Sequence, residues 1–323
     1  MQTNIRAMAV IGLALTLAGP VPALASSPRN AAVSAPQDAL GTARDAYRRG
    51  DHAAASRQFR QLAERGDPGA QYNLGVMYAN GEGVAQNNAE AARLYRLAAA
   101  QGHANAQSNL GMMYQYGQGV AQDRVEAQRL FRLAATQGNA AAQFNLGVMY
   151  ARGEGVAQND AEALRFYRQA AAQGLASAQH NLGVMYKDGQ GGRQDDAEAL
   201  RWLRLAAAQG YANSQYVLGT MNRNGQGLAK DPAEGLRLYR LAAAQGLAQA
   251  QFNLAIMYAN GEAVAQDFVQ SYKWFTLASE RYPAAESAQR DQATNFRNRL
   301  VGRMTPAQIG EAQRLAREWR PGG

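Results

Sequence analysis

The fold is decided by a stretch of 30 residues, NLGVMYANGEGVAQNNAEAARLYRLAAAQG at positions 73–102, because variants of it recur along the chain. Its leucine returns every 36 residues, at Leu74, Leu110, Leu146, Leu182, Leu218 and Leu254. The glycine columns that begin at Gly66 and Gly81, and the alanine column that begins at Ala98, keep the same period. A fixed period over six units predicts a solenoid, in which each unit makes the same contacts with its neighbours.

Each unit is predicted to form two helices. In the first, helix A, Leu74 and Tyr78 lie on one face at helical spacing, and Gly81 stands where a left-handed residue ends a helix. A loop over residues 80–87 follows. Asn87 with Glu90 is a capping-box pattern that predicts the start of the second helix, helix B. The same pattern recurs in the other units, at Asp123 with Glu126, Asn159 with Glu162, Asp195 with Glu198, Asp231 with Glu234, and Asp267 with Gln270.

The recurring pattern also carries a family resemblance. The string A-x-x-x-L-G-x-x-Y-x-x-G-x-G-V, followed by D/N-x-x-x-A and A-A-x-x-G, resembles the Sel-one-like repeat family, a relative of the tetratricopeptide repeats, over residues 67–282. The resemblance implies an all-α, right-handed superhelical solenoid of antiparallel helix pairs that binds proteins. Residues 38–66 resemble a shorter tetratricopeptide-like pair, and residues 283–323 are predicted to form C-terminal capping helices.

The first 25 residues have the pattern of a secretory signal peptide. Arg6 precedes an apolar run over residues 7–18, and Ala23 and Ala25 are small residues where signal peptidase cleaves. The alternative is a membrane anchor, but a run of 12 residues is shorter than the ~20 needed to cross a bilayer. We therefore expect cleavage near Ala25, a flexible leader over residues 26–37, and a periplasmic or secreted protein without a stable membrane anchor.

Composition and motifs argue against chemistry of the protein's own. The chain of 323 residues has no cysteine, which excludes disulfides and thiol nucleophiles. His52, His103 and His180 stand at different positions within their units, so no two are expected to ligate one metal ion. The G-x-G loops follow a helix and lack the third glycine of a phosphate-binding loop. We expect no enzyme activity, no metal site and no cofactor.

One face of helix A is predicted to be open. It lies opposite the buried face and, in a tetratricopeptide-like superhelix, it lines the concave groove. Aromatic side chains there suit the capture of a peptide, whereas in the alternative hypothesis the rings pack on the adjoining A helix. Both hypotheses stay open. The candidate partner-binding residues are Tyr72, Val76, Met112, Phe144, Val148, His180, Lys187, Tyr216, Arg223 and Phe252.

A basic ridge is predicted on the side of helix B that faces away from its core, in a chain of net charge +8. Its first column is Arg93, Arg129, Arg165, Arg201, Arg237 and Lys273, and its second is Arg96, Arg132, Arg168, Arg204 and Arg240. Glu90 and its equivalents offset part of this charge through i,i+3 pairs. The ridge is either a solvated face or a site for an anionic envelope polymer or acidic protein. Nucleic acid is not expected as a partner of an exported protein.

These features predict an exported scaffold or regulator that binds a protein or peptide partner in its groove. The alternatives are an envelope module that binds polyanions through the ridge, and a secreted factor that acts outside the cell. Gln71 and its equivalents in all six units are expected to be structural amides that bond to loops. The fifth unit is expected to be the least stable, since Asn222 replaces the recurring tyrosine and Gly235 lies inside helix B.

Overall fold

The computed structural model describes residues 36–322, and all regular structure in that range is helical. The predicted signal peptide, its cleavage site and the leader up to residue 35 lie outside the described residues. The first helix, α1, begins at Pro36, two residues before the predicted start of the N-terminal pair. Within the described range, no helix is long and apolar enough to span a membrane.

The α-helices follow one another in pairs, which confirms the predicted all-α solenoid. The N-terminal pair is α1 (Pro36–Arg48) and α2 (His52–Glu64). The six A helices are α3 (Pro68–Asn80), α5 (Ala104–Tyr116), α7 (Ala140–Arg152), α9 (Ala176–Asp188), α11 (Ala212–Asn224) and α13 (Ala248–Asn260). The B helices are α4 (Asn88–Ala100), α6 (Arg124–Thr136), α8 (Asp160–Ala172), α10 (Asp196–Ala208), α12 (Pro232–Ala244) and α14 (Phe268–Arg281). A 3₁₀ turn and two helices follow, at Ala284–Glu286, α15 (Ser287–Val301) and α16 (Pro306–Glu318).

The B helices begin with only half of the predicted capping box. The Asn87 side chain accepts a hydrogen bond from the Glu90 amide at 3.0 Å, as expected. The reciprocal bond is not formed, because the Asn87 N–H donates to the Tyr78 carbonyl at 2.8 Å and the Glu90 carboxylate pairs with Arg93. The expectation of complete capping boxes is therefore wrong for the B helices, whereas α16 begins with a complete one.

Small residues let the two helices of a repeat approach closely. A Cβ placed on Gly75 would stand 2.7 Å from the Tyr95 ring, and one on Gly111 would stand 2.8 Å from the Phe131 ring. Real Cβ atoms do not tolerate such distances, so a larger residue would push helix B away from helix A. This close packing is the reason for the glycine that recurs inside helix A despite its cost to helix stability.

Glycines in the A–B loops set the distance between successive pairs. Gly119 has φ 68°, and a Cβ there would stand 2.3 Å from the carbonyl of Asn88 at the start of α4. Gly191 in the fourth repeat lies equally close to the carbonyl of Asp160 at the start of α8. Each loop therefore rests directly on the B helix of the preceding repeat.

The chain divides into two compact units, which are described separately. The first contains the residues up to Met149 together with Gly153–Ala157, and the second contains Tyr150–Arg152 and the residues from Gln158 onward. In the first unit each helix from α1 to α6 packs on the next. In the second unit α8 to α14 pack in the same order, and both α15 and α16 pack on α14. The C-terminal helices thus cover the last B helix.

Candidate functional site

Three residues of the predicted groove lie inside the protein rather than on an open face. Tyr72 is 4% exposed, and Val76 and His180 are fully buried. The Tyr72 ring stacks on His103, the N-cap residue of the next A helix, α5, with ring centroids 4.7 Å apart, and it also contacts Tyr95 at 5.9 Å. The prediction of an open face is therefore wrong for Tyr72, Val76 and His180, because the next repeat covers this part of helix A.

His180 is a buried, neutral packing residue. Its Nδ1 lies 2.9 Å from the Ser214 hydroxyl, and its ring centroid lies 5.2 Å from that of Tyr211. Burial lowers the pKa of His180 to about 4, because the surrounding protein solvates the imidazolium poorly. No group in the described part of the chain hydrogen-bonds to its Nε2. The imidazole is thus uncharged near neutral pH and fills space between α9 and α11.

The other candidate groove residues remain half-buried, at Met112, Phe144, Val148, Lys187, Tyr216, Arg223 and Phe252. In the second unit the Tyr216 ring lies 5.9 Å from Tyr239, and the Phe252 ring lies 5.4 Å from Phe275. The Tyr216 ring is anchored by its own B helix, whereas the Phe252 ring is also covered by Phe296 of α15 at 5.8 Å. Both rings keep part of their surface open. We call the five apolar and aromatic members the A-helix face: Met112, Phe144 and Val148 in the first unit, and Tyr216 and Phe252 in the second.

The two charged candidates on helix A are engaged by acidic neighbours. Arg223 donates to the Glu262 carboxylate through Nε at 2.9 Å and through Nη2 at 2.6 Å. This hydrogen-bonded pair lowers the pKa of Glu262 and raises the pKa of Arg223. Lys187 pairs with Asp188, the next residue in the chain. Both cations are therefore partly neutralised within the second unit.

The recurring glutamines form an amide ladder between repeats. Gln71 Nε2 donates to the Ala63 carbonyl at 3.3 Å, and Gln71 Oε1 accepts from Gln101 Nε2 at 2.8 Å. The same two bonds recur in the second, fourth and fifth repeats. Gln251 has Arg281 in place of this partner, and its Oε1 is left without a bond in the described structure. The amides are structural, as predicted, but they bond to helix ends rather than to loops.

The basic ridge carries the predicted ion pairs. Arg93 donates to Glu90 through Nη2 at 2.6 Å and through Nε at 2.9 Å. Equivalent i,i+3 pairs hold the other arginines of the first column, Arg129, Arg165, Arg201 and Arg237. Exposed pairs of this kind are worth ~0.2–0.5 kcal/mol each, but they offset the charge that a polyanion would meet.

A second ladder, which was not predicted from the sequence, joins the ridge to the A helices. Arg96 Nη2 donates to the Tyr114 hydroxyl at 3.2 Å, and Arg168 Nη2 donates to the Tyr186 hydroxyl at 2.7 Å. The same bond occurs at Arg60 with Tyr78 and at Arg240 with Tyr258. In every case the tyrosine follows the arginine by 18 residues. The arginine and tyrosine columns, each of period 36, already had this spacing in the sequence.

The fifth repeat interrupts this second ladder. Asn222 stands in the tyrosine column and donates to the Leu218 carbonyl at 2.8 Å instead. No partner of Arg204 is present in the described structure, whereas its equivalents bond to tyrosines. The buried Asn222 amide is thus satisfied locally, at the loss of one bond between repeats.

The histidines have structural surroundings. His103 is the N-cap of α5 and accepts from the Ala106 amide at 3.2 Å, and His180 packs against Tyr211 as described above. Among the described residues, no three histidine, aspartate or glutamate side chains are grouped so that they would hold a metal ion.

The repeats coincide with a known family. The model of the Sel1 repeat matches residues 68–103, 104–139, 140–175, 176–211, 212–247 and 248–282, so that each match spans one A–B pair. No curated protein matches the chain.

A solved structure agrees with this match. A Sel1 repeat protein from Oxalobacter formigenes is 30% identical, with a TM-score of 0.70 over 75% of this chain and 96% of that chain. The protective antigen c5321 of uropathogenic Escherichia coli, which has an SLR fold, is 26% identical with a TM-score of 0.47 over 88% and 83% of the two chains. Sel1 repeat proteins are typically scaffolds for protein–protein interaction. Because the six matched repeats span residues 68–282, the chain belongs to the Sel1 repeat family.

Proposed function

We propose that this Sel1 repeat protein is an exported scaffold or regulator that binds a protein or peptide partner on its A-helix face and catalyses no reaction. The observation that supports this is the partial exposure of Met112, Phe144 and Val148 in the first unit, where the equivalent Tyr72 and Val76 are buried. Side chains that are anchored at their base and exposed at their tip lose little conformational entropy when a partner covers them. They are therefore suitable anchors for an interface.

Export is the part of the proposal that rests on the N-terminal sequence. The basic residue, short apolar run and small residues around Ala25 support secretion to the periplasm or beyond. Mass spectrometry of the mature protein is expected to find Ser26 at its N-terminus. A retained Met1 in membrane-bound material would replace this proposal with a membrane anchor.

Polyanion binding through the ridge receives less support. The first arginine column is paired with glutamates, and members of the second column donate to tyrosines. A polyanion would have to compete with these intramolecular partners. Substitution of ridge arginines tests the polyanion alternative and leaves the A-helix face unchanged, so it also serves as a control.

The test is capture of partners from the exported fraction with the full-length protein as bait. We expect the triple substitution Met112→Ala, Phe144→Ala and Val148→Ala to abolish capture of the partner that the unchanged protein retains. The matched control, Arg129→Gln with Arg201→Gln, should capture it normally, and capture should depend little on salt. Loss of capture in the ridge variant alone, with strong salt dependence, would favour the polyanion alternative.

A second variant separates binding from folding. Met112→Gln and Val148→Thr keep nearly the same side-chain volume while replacing exposed apolar surface with polar surface. Circular dichroism should show native helicity in this variant, and capture should still be weakened. Full capture by a folded variant of this kind would show that the partner does not use the A-helix face.

A further inference from the structure

A cleft of about 600 Å³ lies in the second unit beside the loop of the fourth repeat. It is lined by Leu164 and Arg168 of α8, Tyr186 of α9, loop residues 192–195 and Asp196 of α10. Most of its lining residues are exposed, so the cleft is an open depression of the surface rather than an enclosed cavity. The A-helix face contributes no residue to this lining.

The cleft lies where the other repeats have an aliphatic side chain. In place of Gly192 these repeats have Val84, Val120, Val156, Leu228 and Val264. Leu228 packs against the buried cluster that contains Leu200, and Val264 packs against the cluster that contains Leu236. The fifth and sixth repeats therefore show what fills this position when a side chain is present.

Leu164 is the leucine that the fourth repeat leaves uncovered. It is the counterpart of Leu200 and Leu236, which are buried, but it is itself only half-buried. An added Cβ on Gly192 would meet a single neighbouring atom within 4 Å, Leu164 Cδ2 at 3.8 Å. There is thus open space above Leu164 of the kind that an aliphatic group fills in the neighbouring repeats.

The polar lining of the cleft has unused positive charge. Arg193 stands where the other repeats have alanine, and it has no ion pair or hydrogen bond in the described structure. The Asp195 side chain is occupied as the N-cap of α10, where it accepts from the Ala197 and Glu198 amides at 3.0 Å. Asp196 accepts from Gln194 Nε2 at 3.3 Å. These bonds leave both aspartates charged, whereas the exposed guanidinium of Arg193 is free to turn toward a ligand.

We propose that this cleft binds a segment of a partner protein in which an aliphatic side chain stands next to a carboxylate. The aliphatic side chain fills the position that valine or leucine takes in the other repeats and covers Leu164. The carboxylate pairs with Arg193, and Arg168, which already donates to Tyr186, lies on the same lining. An aspartate or glutamate side chain, or the terminal carboxylate of the partner, supplies the same chemistry. The site is separate from the A-helix face and does not depend on it.

Two fluorescently labelled hexapeptides test the proposal by anisotropy on the full-length protein. One has Val-Glu at its centre and an amidated C-terminus, and the other ends in valine with a free carboxylate. At least one is expected to bind, and which one binds identifies the source of the carboxylate. Control peptides with Val→Gly, or with the carboxylate converted to an amide, should bind about tenfold more weakly or less. Binding of neither probe, or equal binding of the controls, overturns the proposal.

Gly192→Val is the decisive variant, because it installs the side chain that most other repeats use. Gly192 does not have a left-handed φ, so valine adds no backbone strain of that kind. We expect the midpoint of thermal unfolding to stay or rise while peptide binding is lost. Gly192→Ala, a smaller change, should weaken peptide binding partially. It replaces the valine variant as the test if that variant fails to fold. Unchanged peptide binding in a folded Gly192→Val protein overturns the proposal.

Two arginine variants separate the charge from the cavity. Arg193→Gln should weaken binding about tenfold and reduce its salt dependence, because the pairing charge is gone. Ala229→Arg adds an arginine at the equivalent place in the fifth repeat, where Leu228 fills the space. It should leave the stoichiometry at one peptide per protein molecule. A second peptide bound to this variant would show that an arginine alone suffices and would overturn the role of the cavity.

Discussion

The core face of the A helices and the ridge side of the B helices both have recurring columns in the sequence, but they differ in how the structure covers them. In the fourth repeat, Leu182 of α9 is fully buried, whereas Leu205 of α10 keeps 44% of its surface exposed. α9 packs on its own B helix, α10, and also on α8 of the preceding repeat. The ridge side of α10 has no such neighbour among the described residues. A residue column that recurs regularly therefore has an equivalent environment in each repeat, and this environment is either the core or the solvent.

The largest expected effect comes from a loop glycine that touches the preceding repeat. Gly119→Ala introduces strain at positive φ worth ~1–3 kcal/mol, and its Cβ would also collide with Asn88, which adds ~1–3 kcal/mol. Gly138→Ala is the matched control, because its φ is 84° but nothing lies within 4 Å of an added Cβ. Urea unfolding should show a clearly greater loss of stability for Gly119→Ala. Equal losses would mean that the loops are not pressed against the preceding repeat.

The second-largest effect on stability is expected from the contrast between a buried and an exposed leucine. Leu182→Ala is expected to lower the free energy of unfolding by ~2–5 kcal/mol, since the site is fully buried. Leu205→Ala, in the same repeat, should cost at most ~1 kcal/mol because much of that side chain already faces water. Chemical denaturation of both variants checks this. Similar losses for the two would show that the ridge side of α10 is covered in solution.

His180 makes the stability of the A helices depend on pH. A histidine in the unfolded protein titrates near 6.5, whereas the folded pKa of His180 is about 4, so the unfolded state binds the proton first as the pH falls. The contribution of His180 is complete above pH 6.5, falls as the pH drops, and has lost ~3 kcal/mol near pH 4. His180→Phe, which places a ring found at this position in the third repeat, should reduce the slope between pH 6.5 and 4. An unchanged slope would show that other groups dominate.

The smallest effect concerns the bond between repeats that the fifth repeat lacks. Asn222→Tyr should restore the hydroxyl that Arg204 would meet and stabilise the protein by ~0.5–1 kcal/mol. In the unchanged protein, hydrogen exchange should show lower protection over residues 211–246 than in the second repeat, because the least stable unit opens first. Equal protection would show that the bond from Asn222 to Leu218 compensates for the lost tyrosine.

Predictions from the sequence were better for local structure than for the exposure of side chains. The left-handed end of helix A at Gly81 was predictable, because a glycine after the last periodic residue identifies it, and its φ is 74°. The burial of Tyr72 was not predictable from a helical wheel, since a wheel describes one helix in isolation. The prediction of complete capping boxes failed for a similar reason. The Asn87 N–H finds the Tyr78 carbonyl only once the A–B loop has folded.

By itself the sequence determined that this protein is a row of helix pairs, because helical periodicity, caps and glycine ends all act within one unit of 36 residues. Only the tertiary structure decided which columns are covered, because burial is set by atoms of the adjoining repeat. It placed His180 in the interior and kept Met112 partly open. The effect of Gly192 also became visible only in the tertiary structure. Gly192 lies in a loop, whereas the leucine that it leaves uncovered, Leu164, belongs to α8.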